Sequence, residues 1–330
     1  MHRGKSSRYR ALLMLIASIV FAAASQQVVA ACTATAGTTP AVIDYGTYAS
    51  EDVPAGGISL NGTGVDATFS VTCSITLSLQ LLSTTSWLRY TAQSALTMSN
   101  GTDSISYSIG SNSTFTPAIT ASGQSIGGPT GFTLLALALL SGIKIDIPLH
   151  TTTSTTAVWP NAGTYTGTQT LVVDGSMCTG LGLPGVCLGS TPITGTVAMS
   201  FKMIVSKSCE FISTPTLVDF GSVSFLENAN TVLLNTVLRC THLEDYLLYA
   251  DNGDHYSNGS RQMTASNGYS IKYDILQPGS TTLLLSSATP LSNFGTGTNE
   301  TFAIPIRIAT GQTTPPAATY SDNVRMVIEY

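Results

Sequence analysis

The chain has 330 residues, which is long enough for about two domains with a core in each. Only 9% of the residues are charged, against roughly 25% in an ordinary soluble protein, and 43% are apolar, so charge-driven disorder is excluded. The formal net charge is −5, although four basic residues lie within the first ten, and this sign excludes a nucleic-acid partner.

The first thirty residues are typical of a secretory signal peptide. A basic stretch ends at Arg10, an apolar run extends from Ala11 to Ala24, and Val28 and Ala30 are the small residues that a signal peptidase reads. The apolar run is shorter than the roughly 20 residues of a membrane span, which disfavours an uncleaved anchor. We therefore expect residues 1–30 to be removed and the chain to be exported.

Six cysteines follow the predicted cleavage point, at positions 32, 73, 178, 187, 209 and 240. An exported chain meets an oxidising environment, so an even number of cysteines predicts disulfides. A lipoprotein is an alternative because Val29-Ala30-Ala31-Cys32 resembles a lipobox, but lipidation of Cys32 would leave one cysteine without a partner. No cysteine has the spacing of a zinc site, and we expect no metal and no cofactor.

The most informative feature of the sequence is an internal repeat. Five anchors occur in the same order in both copies: Cys32 to Cys73 with Cys209 to Cys240, Val42–Gly46 with Leu217–Gly221, Ser99–Ile109 with Ser266–Ile275, Ile147–His150 with Ile304–Arg307, and Ala162–Tyr165 with Ala317–Tyr320. The repeat predicts the disulfides Cys32–Cys73 and Cys209–Cys240. Cys178 and Cys187 then form an additional local disulfide in the first copy.

Short β-strands account for the local patterns, and helical periodicity is nearly absent. Runs rich in β-branched and aromatic residues, separated by turn residues, occur at Val71–Leu79, Tyr269–Ile275, Phe302–Ile308 and Val324–Tyr330. We predict an all-β fold of two tandem immunoglobulin-like β-sandwiches, at residues 31–206 and 207–330, with the C-terminal sandwich lacking its last strand.

The missing strand is inferred by comparing the two copies. After its Tyr165 anchor the first copy has one more strand, in which apolar and mostly polar residues alternate between 197 and 205. The second copy stops at Tyr330, so we expect an apolar groove with unpaired backbone groups that accepts a foreign strand. The alternative is that its strands rearrange and close the fold. Only Ala31 would precede Cys32 after cleavage, and we therefore expect the chain to have no strand to donate.

The second copy resembles the spore coat U (SCPU) domain. The residues that carry this resemblance are Cys209, Asp219–Gly221, Cys240, Arg261–Met263, Tyr269–Tyr273 and Thr319–Asp322, and the first copy follows the same pattern more loosely. SCPU domains form subunits of archaic, Csu-type chaperone/usher pili, and a two-domain chain is similar to their tip adhesin. The resemblance implies surface attachment and biofilm formation at the pilus tip, after export through the periplasm to the cell surface.

The same resemblance implies three protein partners. They are a periplasmic pilus chaperone, an outer-membrane usher, and an adjacent pilin subunit whose N-terminal extension fills the groove by donor-strand complementation. An apolar abiotic or host surface would be the target of the N-terminal domain.

Three insertions distinguish the first copy, near Val53–Gly64, Gly127–Leu140 and Cys178–Cys187. Apolar residues concentrate around the last two: Phe132, Leu134, Leu135, Leu137 and Leu139, and then Leu181, Leu183, Pro184, Val186 and Leu188. We predict that 181–188 projects as a finger with an apolar tip, the manner in which Csu-type adhesins attach. For 132–140 two interpretations stay open, a second finger or a buried core strand.

Other function classes find less support in the sequence. The histidines His150, His242 and His255 share no motif, and no catalytic serine or metalloprotease signature occurs. We therefore expect that the protein is not an enzyme. Residues 251–254 could suggest a calcium loop, but a turn is the commoner structure for Asn-Gly in a β-protein. Trp87 and Trp159 are candidates for the tip or for the core. A lectin-like adhesin with Trp87 stacking on a sugar is the open alternative.

Overall fold

A computed structural model describes residues 31–36, 42–60, 64–74, 79–80, 86–129, 143–183 and 186–330. Across these residues the protein is all-β, with two single-turn 3-10 helices as the only helical elements, so the predicted fold class is confirmed. No helix in this part of the chain is long and apolar enough to cross a membrane. The predicted signal peptide at 1–30 and the apolar run at 132–140 lie outside the described residues.

Twelve strands in the described N-terminal part belong to one hydrogen-bonded sheet. They are β1 (Ala31–Ala36), β2 (Val42–Ala49), β3 (Ala67–Ser74), β4 (Leu79–Gln80), β5 (Trp87–Ala92), β6 (Thr97–Ser99), β7 (Ser104–Gly110), β8 (Ala118–Ile119), β9 (Ser125–Gly127), β10 (Ile143–Thr153), β11 (Gly163–Leu183) and β12 (Val186–Ser206). The strand order is β2-β12-β1-β3-β10-β7-β6-β11-β5-β9, with β4 beside β11 and β8 beside β7. Because β11 also pairs with β12, the hydrogen-bonded path returns on itself around one core.

The C-terminal part contains two smaller sheets. Its strands are β13 (Cys209–Ser213), β14 (Val232–Cys240), β15 (Asp245–Ala250), β16 (Arg261–Thr264), β17 (Ser270–Ile275), β18 (Leu291–Phe294), β19 (Glu300–Ile308) and β20 (Met326–Glu329). One sheet has the order β13-β14-β19-β17-β16 and the other has the order β18-β15-β20. The buried apolar residues form one cluster in each part, which supports the proposed division into 31–206 and 207–330.

Strand β12 lies at the centre of the N-terminal core. It runs antiparallel to β11 along most of its length and parallel to both β1 and β2. Its side chains alternate as the sequence predicts, and the inward set is at most 8% exposed: Val197, Met199, Phe201, Met203 and Val205. The Phe201 ring stacks on Tyr107 with centroids 4.0 Å apart and on Tyr45 at 6.4 Å.

The three predicted disulfides are present. Cys32 lies directly opposite Cys73 in the β1–β3 pair, and Cys209 lies directly opposite Cys240 in the β13–β14 pair, so the two copies are cross-linked at the same place. The third bond joins Cys178 to Cys187. With Cys32 in a disulfide, its thiol is not free for lipidation, and the lipoprotein alternative loses its basis.

A tyrosine in each copy makes the same local hydrogen bond. The Tyr165 hydroxyl donates to the Asn161 carbonyl at 2.7 Å, and the Tyr320 hydroxyl donates to the Pro316 carbonyl at 2.6 Å. A tyrosine that bonds to the backbone a few residues upstream is a feature of immunoglobulin-like domains. These two hydrogen bonds support the finer prediction of two immunoglobulin-like sandwiches, which stays a prediction.

Truncation of Phe201 tests the central place of β12. The variant Phe201→Ala removes a fully buried ring beside Tyr107, so we expect it to lower the free energy of unfolding by about 3–5 kcal/mol. The control Ser200→Ala changes the neighbouring outward side chain and should have an effect of about 0.5 kcal/mol or less. Urea unfolding of the exported protein with intact disulfides measures both, and an unchanged midpoint for Phe201→Ala would contradict this structure of the core.

Candidate functional site

The two copies can be matched by hydrogen-bond register. In the first copy β11 pairs with β5, and Leu171 lies opposite Ala92. In the second copy β20 pairs with β15, and Met326 lies opposite Ala250. The pair β1–β3 corresponds in the same way to β13–β14, because each contains a directly opposed cystine. This matching gives β1, β3, β5 and β11 equivalents in the second copy and leaves β12 to be matched.

No counterpart of β12 occurs in the described part of the second copy. The first copy surrounds β12 with β1, β2 and β11. Within residues 186–330, the equivalent strand β13 pairs only with β14, and the equivalent strand β20 pairs only with β15. The sequence Leu217–Gly221, which corresponds to β2, is not a strand. The counterparts of β1 and β11 are thus strands without that partner, and the segment that corresponds to β2 has no strand to pair with.

Side chains that β12 covers in the first copy are uncovered in the second. Leu171 and Val173 on β11 are at most 1% exposed. Their counterparts Met326 and Ile328 on β20 are only partly buried. The second copy therefore combines strands that have one partner each with apolar side chains that are only partly buried.

The segment that corresponds to β2 shows the same loss of cover. Ile43 and Tyr45, on the strand β2 that pairs with β12, are 1% and 4% exposed. Val218 and Phe220 occupy the equivalent positions and are only partly buried, and Leu217 is 78% exposed.

A groove of about 500 Å³ lies between this segment and the chain that leads into β20. The residues that line it are Val218, Asp219, Phe220, Gly221, Ser222, Val223, Leu226, Met263, Ile271, Ile308 and 314–320. Asp219 is the only charged residue among them. We call this feature the acceptor groove.

Buried polar contacts hold the chain just beyond the acceptor groove. The Tyr273 hydroxyl donates to Asp322 Oδ2 at 2.6 Å, and the backbone N–H groups of Asp254 and His255 donate to Asp322 Oδ1 at 3.1 Å. Burial, together with the Asp322 carboxylate, raises the pKa of Tyr273. The sequence showed Asp322 as part of the family pattern, and only the structure shows that it connects β17, β20 and the 251–256 turn.

Arg261 fixes the same region from the inside. Its guanidinium is 5% exposed and donates to the carbonyls of Ala250, Asp251 and Leu285 at 2.7 to 3.0 Å. Burial lowers the pKa of this guanidinium. The corresponding residue of the first copy is the buried Leu96, so the two copies differ here by a charged side chain that satisfies backbone carbonyls.

Residues 251–254 form a turn and not an open metal loop. The Asp251 carboxylate accepts hydrogen bonds from the backbone N–H groups of Gly253 at 3.0 Å and Arg325 at 2.9 Å. In the described part of the chain no group of three or more histidine, cysteine or acidic residues could hold a metal ion.

The predicted finger is the end of the β11–β12 hairpin. The two strands stay paired up to Leu183 and Val186, and β4 lies alongside at Leu181. Val186 is 51% exposed and Leu188 is 60% exposed. Pro184 and the side chains of Leu181 and Leu183 lie outside the described residues. Of the five apolar side chains assigned to the finger, the two that the structure describes, Val186 and Leu188, are exposed.

The disulfide Cys178–Cys187 crosses this hairpin at an irregularity. The pairing register shifts between Cys178 and Leu181, and the bond spans that shift. Cys178 is 1% exposed, and its backbone N–H donates to Ser86 Oγ at 2.9 Å. From Ser206 to Val186 the strand covers roughly 66 Å at about 3.3 Å per residue, so the hairpin end lies far along β12 from the second copy.

The other predicted surface residues divide into two groups. Phe132, Leu134, Leu135, Leu137 and Leu139 lie outside the described residues, and both interpretations of 132–140 remain predictions. Trp159 as a tip residue is wrong, because it is 4% exposed and packs against the second copy. Its backbone N–H donates to the Gly297 carbonyl at 2.9 Å, and the Arg239 guanidinium lies 5.4 Å from its ring. Trp87 is partly buried with Arg89 at 6.0 Å.

A second set of contacts joins the two copies next to Trp159. The Asp103 carboxylate lies 2.8 Å from His242 Nδ1 and accepts the backbone N–H of Asn161 at 2.7 Å. The Asn161 side chain donates to the His242 carbonyl at 2.7 Å. The sequence assigned no role to these residues, since nothing local distinguishes a junction contact from an ordinary surface polar residue.

Comparison with known proteins identifies the part of the chain that contains the groove. Residues 193–327 match the family model of the Spore Coat Protein U domain, a range that begins within β12 and ends within β20. This match confirms the SCPU resemblance for that range. A search of the curated proteins finds no match.

Two solved structures are similar to this chain over most of its length. One is a chain in the crystal structure of the CsuC-CsuE chaperone-tip adhesion subunit pre-assembly complex from archaic chaperone-usher Csu pili of Acinetobacter baumannii, at 18% identity and a TM-score of 0.46, covering 91% of this chain and 100% of that one. The other belongs to a chaperone-tip adhesin complex described as vital for activation of CFA/I fimbriae biogenesis, at 12% identity and a TM-score of 0.30, covering 90% and 83%. These scores are too low to support a statement about this chain.

Matched truncations in the two copies test whether the core of the second copy is open. We expect Leu171→Ala to cost about 2–5 kcal/mol of unfolding free energy, because it empties a closed core. Met326→Ala, at the equivalent position, should cost about 1 kcal/mol, because that side chain is already partly in water. Hydrogen exchange during urea unfolding resolves the two halves, and equal costs would show that the second core is closed.

Proposed function

We propose that this protein is a subunit of a chaperone/usher pilus, completed in its C-terminal half by a strand from a neighbouring subunit. The observation that carries the proposal is the acceptor groove: the counterparts of β1, β2 and β11 all lack the strand that β12 supplies in the first copy. The SCPU match at 193–327 supports it, because SCPU domains resemble subunits of archaic, Csu-type pili.

The first copy shows what the occupant of the groove must provide. Its backbone must pair with β13 on one side and β20 on the other, as β12 pairs with β1 and β11. Large apolar side chains at alternate positions must fill the space above Phe220 and Met326, because β12 fills the equivalent space with Phe201 and its neighbours. A donated strand with alternating apolar residues satisfies both requirements.

An unfilled groove is also a hazard before assembly. Unpaired strand edges and partly exposed apolar side chains promote edge-to-edge aggregation. A periplasmic chaperone that covers the groove would prevent this aggregation. An outer-membrane usher would then replace the chaperone with the next subunit. Both partners belong to the proposal, as does export to the cell surface.

The N-terminal half is proposed to attach the pilus to a surface. Its hairpin end exposes Val186 and Leu188, held by the Cys178–Cys187 disulfide. Burial of apolar area against an abiotic or host surface would supply the binding energy, at roughly 25 cal/mol per Å². Strand β1 is already paired with β3 and β12, which supports a position at the tip of the fibre. Neither activity requires catalysis, and the protein is proposed to be an adhesin and not an enzyme.

A peptide with the sequence of residues 194–206 tests the acceptor groove. Added to the exported protein, it should raise the free energy of unfolding of the C-terminal half by about 2.7 kcal/mol when its concentration is 100 times Kd. A peptide of the same composition with its apolar residues placed consecutively should give no shift, because only alternation puts them on one face. Stability that is independent of both peptides would refute the strand-acceptor proposal.

Charged substitutions test the hairpin end. The double variant with Val186→Asp and Leu188→Asp should reduce attachment to polystyrene at least tenfold without lowering the unfolding midpoint, since both side chains already face water. Leu233→Asp is the matched control, because Leu233 is 54% exposed in the other half. Unchanged attachment of the double variant would exclude the hairpin end as the attachment site. Attachment restricted to glycan-coated surfaces would favour the lectin-like alternative.

A further inference from the structure

An aspartate followed by a glycine two positions later makes the same turn in both copies. The backbone N–H of Gly46 donates to Asp44 Oδ1 at 2.9 Å, and the backbone N–H of Gly221 donates to Asp219 Oδ1 at 2.8 Å. Both glycines have positive φ, at 90° and 71°. The two carboxylates are therefore oriented by the same hydrogen bond, which uses Oδ1 and does not involve Oδ2.

In the first copy the second carboxylate oxygen binds the strand that fills the core. Lys202 Nζ lies 2.8 Å from Asp44 Oδ2, and the two residues are direct register partners of β12 and β2. Lys202 immediately follows Phe201, the residue that stacks on Tyr107 and Tyr45. The hydrogen bond from Lys202, with that from the Gly46 backbone, lowers the pKa of Asp44. The ion pair between Lys202 and Asp44 therefore lies on the outer face, one residue after the buried Phe201.

In the second copy the equivalent carboxylate has no cation. Asp219 is exposed, and among the described residues it forms no salt bridge. It is the only charge on the lining of the acceptor groove. Phe220 and Tyr273 correspond in sequence to Tyr45 and Tyr107, and both belong to the apolar cluster of the second copy.

We propose that Asp219 selects the incoming strand and sets its register by pairing with a lysine or arginine placed directly after the apolar residue that packs on Phe220 and Tyr273. This inference rests on the proposed strand-acceptor function. The same pairing draws Leu217–Phe220 alongside the incoming strand, as β2 lies parallel to β12. This segment, which is not a strand in the structure, becomes one on binding.

The ion pair with Asp219 distinguishes strand registers that the alternation of apolar residues does not distinguish. A slip of one residue turns every apolar side chain outward and is rejected by the groove. A slip of two residues keeps the apolar face inward, and an alternating strand tolerates it. That slip moves the basic residue by about 6.6 Å along the strand and breaks its contact with Asp219. The ion pair therefore discriminates between registers that packing leaves nearly equal.

The test is a charge-exchange cycle between the exported protein and the peptide of residues 194–206. We measure Kd for peptides with Lys202, Lys202→Gln or Lys202→Glu against the wild type, Asp219→Asn and Asp219→Lys. The Asp219→Asn variant preserves the turn, because the amide oxygen of an asparagine still accepts from the Gly221 N–H. Glu227→Gln is the control, since Glu227 is an exposed carboxylate beside the groove residue Leu226.

We expect removal of either charge to weaken binding about two- to fivefold at low salt, the range of an exposed ion pair, and removal of both to add little more. The Lys202→Glu peptide should bind Asp219→Lys better than it binds the wild type. Glu227→Gln should leave Kd unchanged, and added salt should remove the preference. Amide exchange at residues 218–220 should slow when the lysine peptide is bound.

Each contrary result identifies what fails. If no peptide binds the wild type, the strand-acceptor function itself is wrong. If all peptides bind wild type and variants with equal Kd, the acceptor function stands and the role of Asp219 is overturned. Weakening by single changes without recovery in the exchanged pair also overturns it, and unchanged exchange at 218–220 overturns the predicted strand formation.

Discussion

Backbone N–H and C=O groups at the edge of a strand must meet another strand or water, and this requirement governs both halves of the protein. In the first half one strand, β12, meets it for β1, β2 and β11 together. Its alternate side chains close the core at the same time, with Phe201 at the centre. In the described part of the second half, the counterparts of β1 and β11 have no such strand between them, which is the basis of the proposal that a neighbouring subunit completes this half.

The position of β12 also connects the two proposed activities. It is hydrogen-bonded to β11 from the hairpin end at Val186 to the region where the chain enters the second half. There, Trp159 and Asp103 bind Gly297 and His242 directly. An exposed apolar end and an acceptor groove are therefore joined by continuous sheet and a polar junction, an arrangement suited to holding a surface at one end and a fibre at the other.

Much of this could be predicted from local patterns. The repeat located two disulfides because equivalent cysteines must occupy equivalent strand positions, and the alternation between Val197 and Val205 assigned the buried face of β12 correctly. The finger predicted at 181–188 stays a prediction, and the structure adds that β11 and β12 remain paired as far as Leu183 and Val186. The sequence left Trp159 open between the tip and the core because a large aromatic residue suits either place, and the structure buries it.

The sequence by itself determined the all-β class, the duplication and the residue types of each anchor, because these depend on spacing within short segments. Only the tertiary structure decided which anchors differ in their surroundings. Asp44 and Asp219 occupy the same motif, yet Asp44 meets Lys202 from 158 residues away, and Asp219 faces a groove. Such a contact depends on which strands become neighbours, and strand neighbours are set by the competition of whole segments for backbone partners, which no local pattern records.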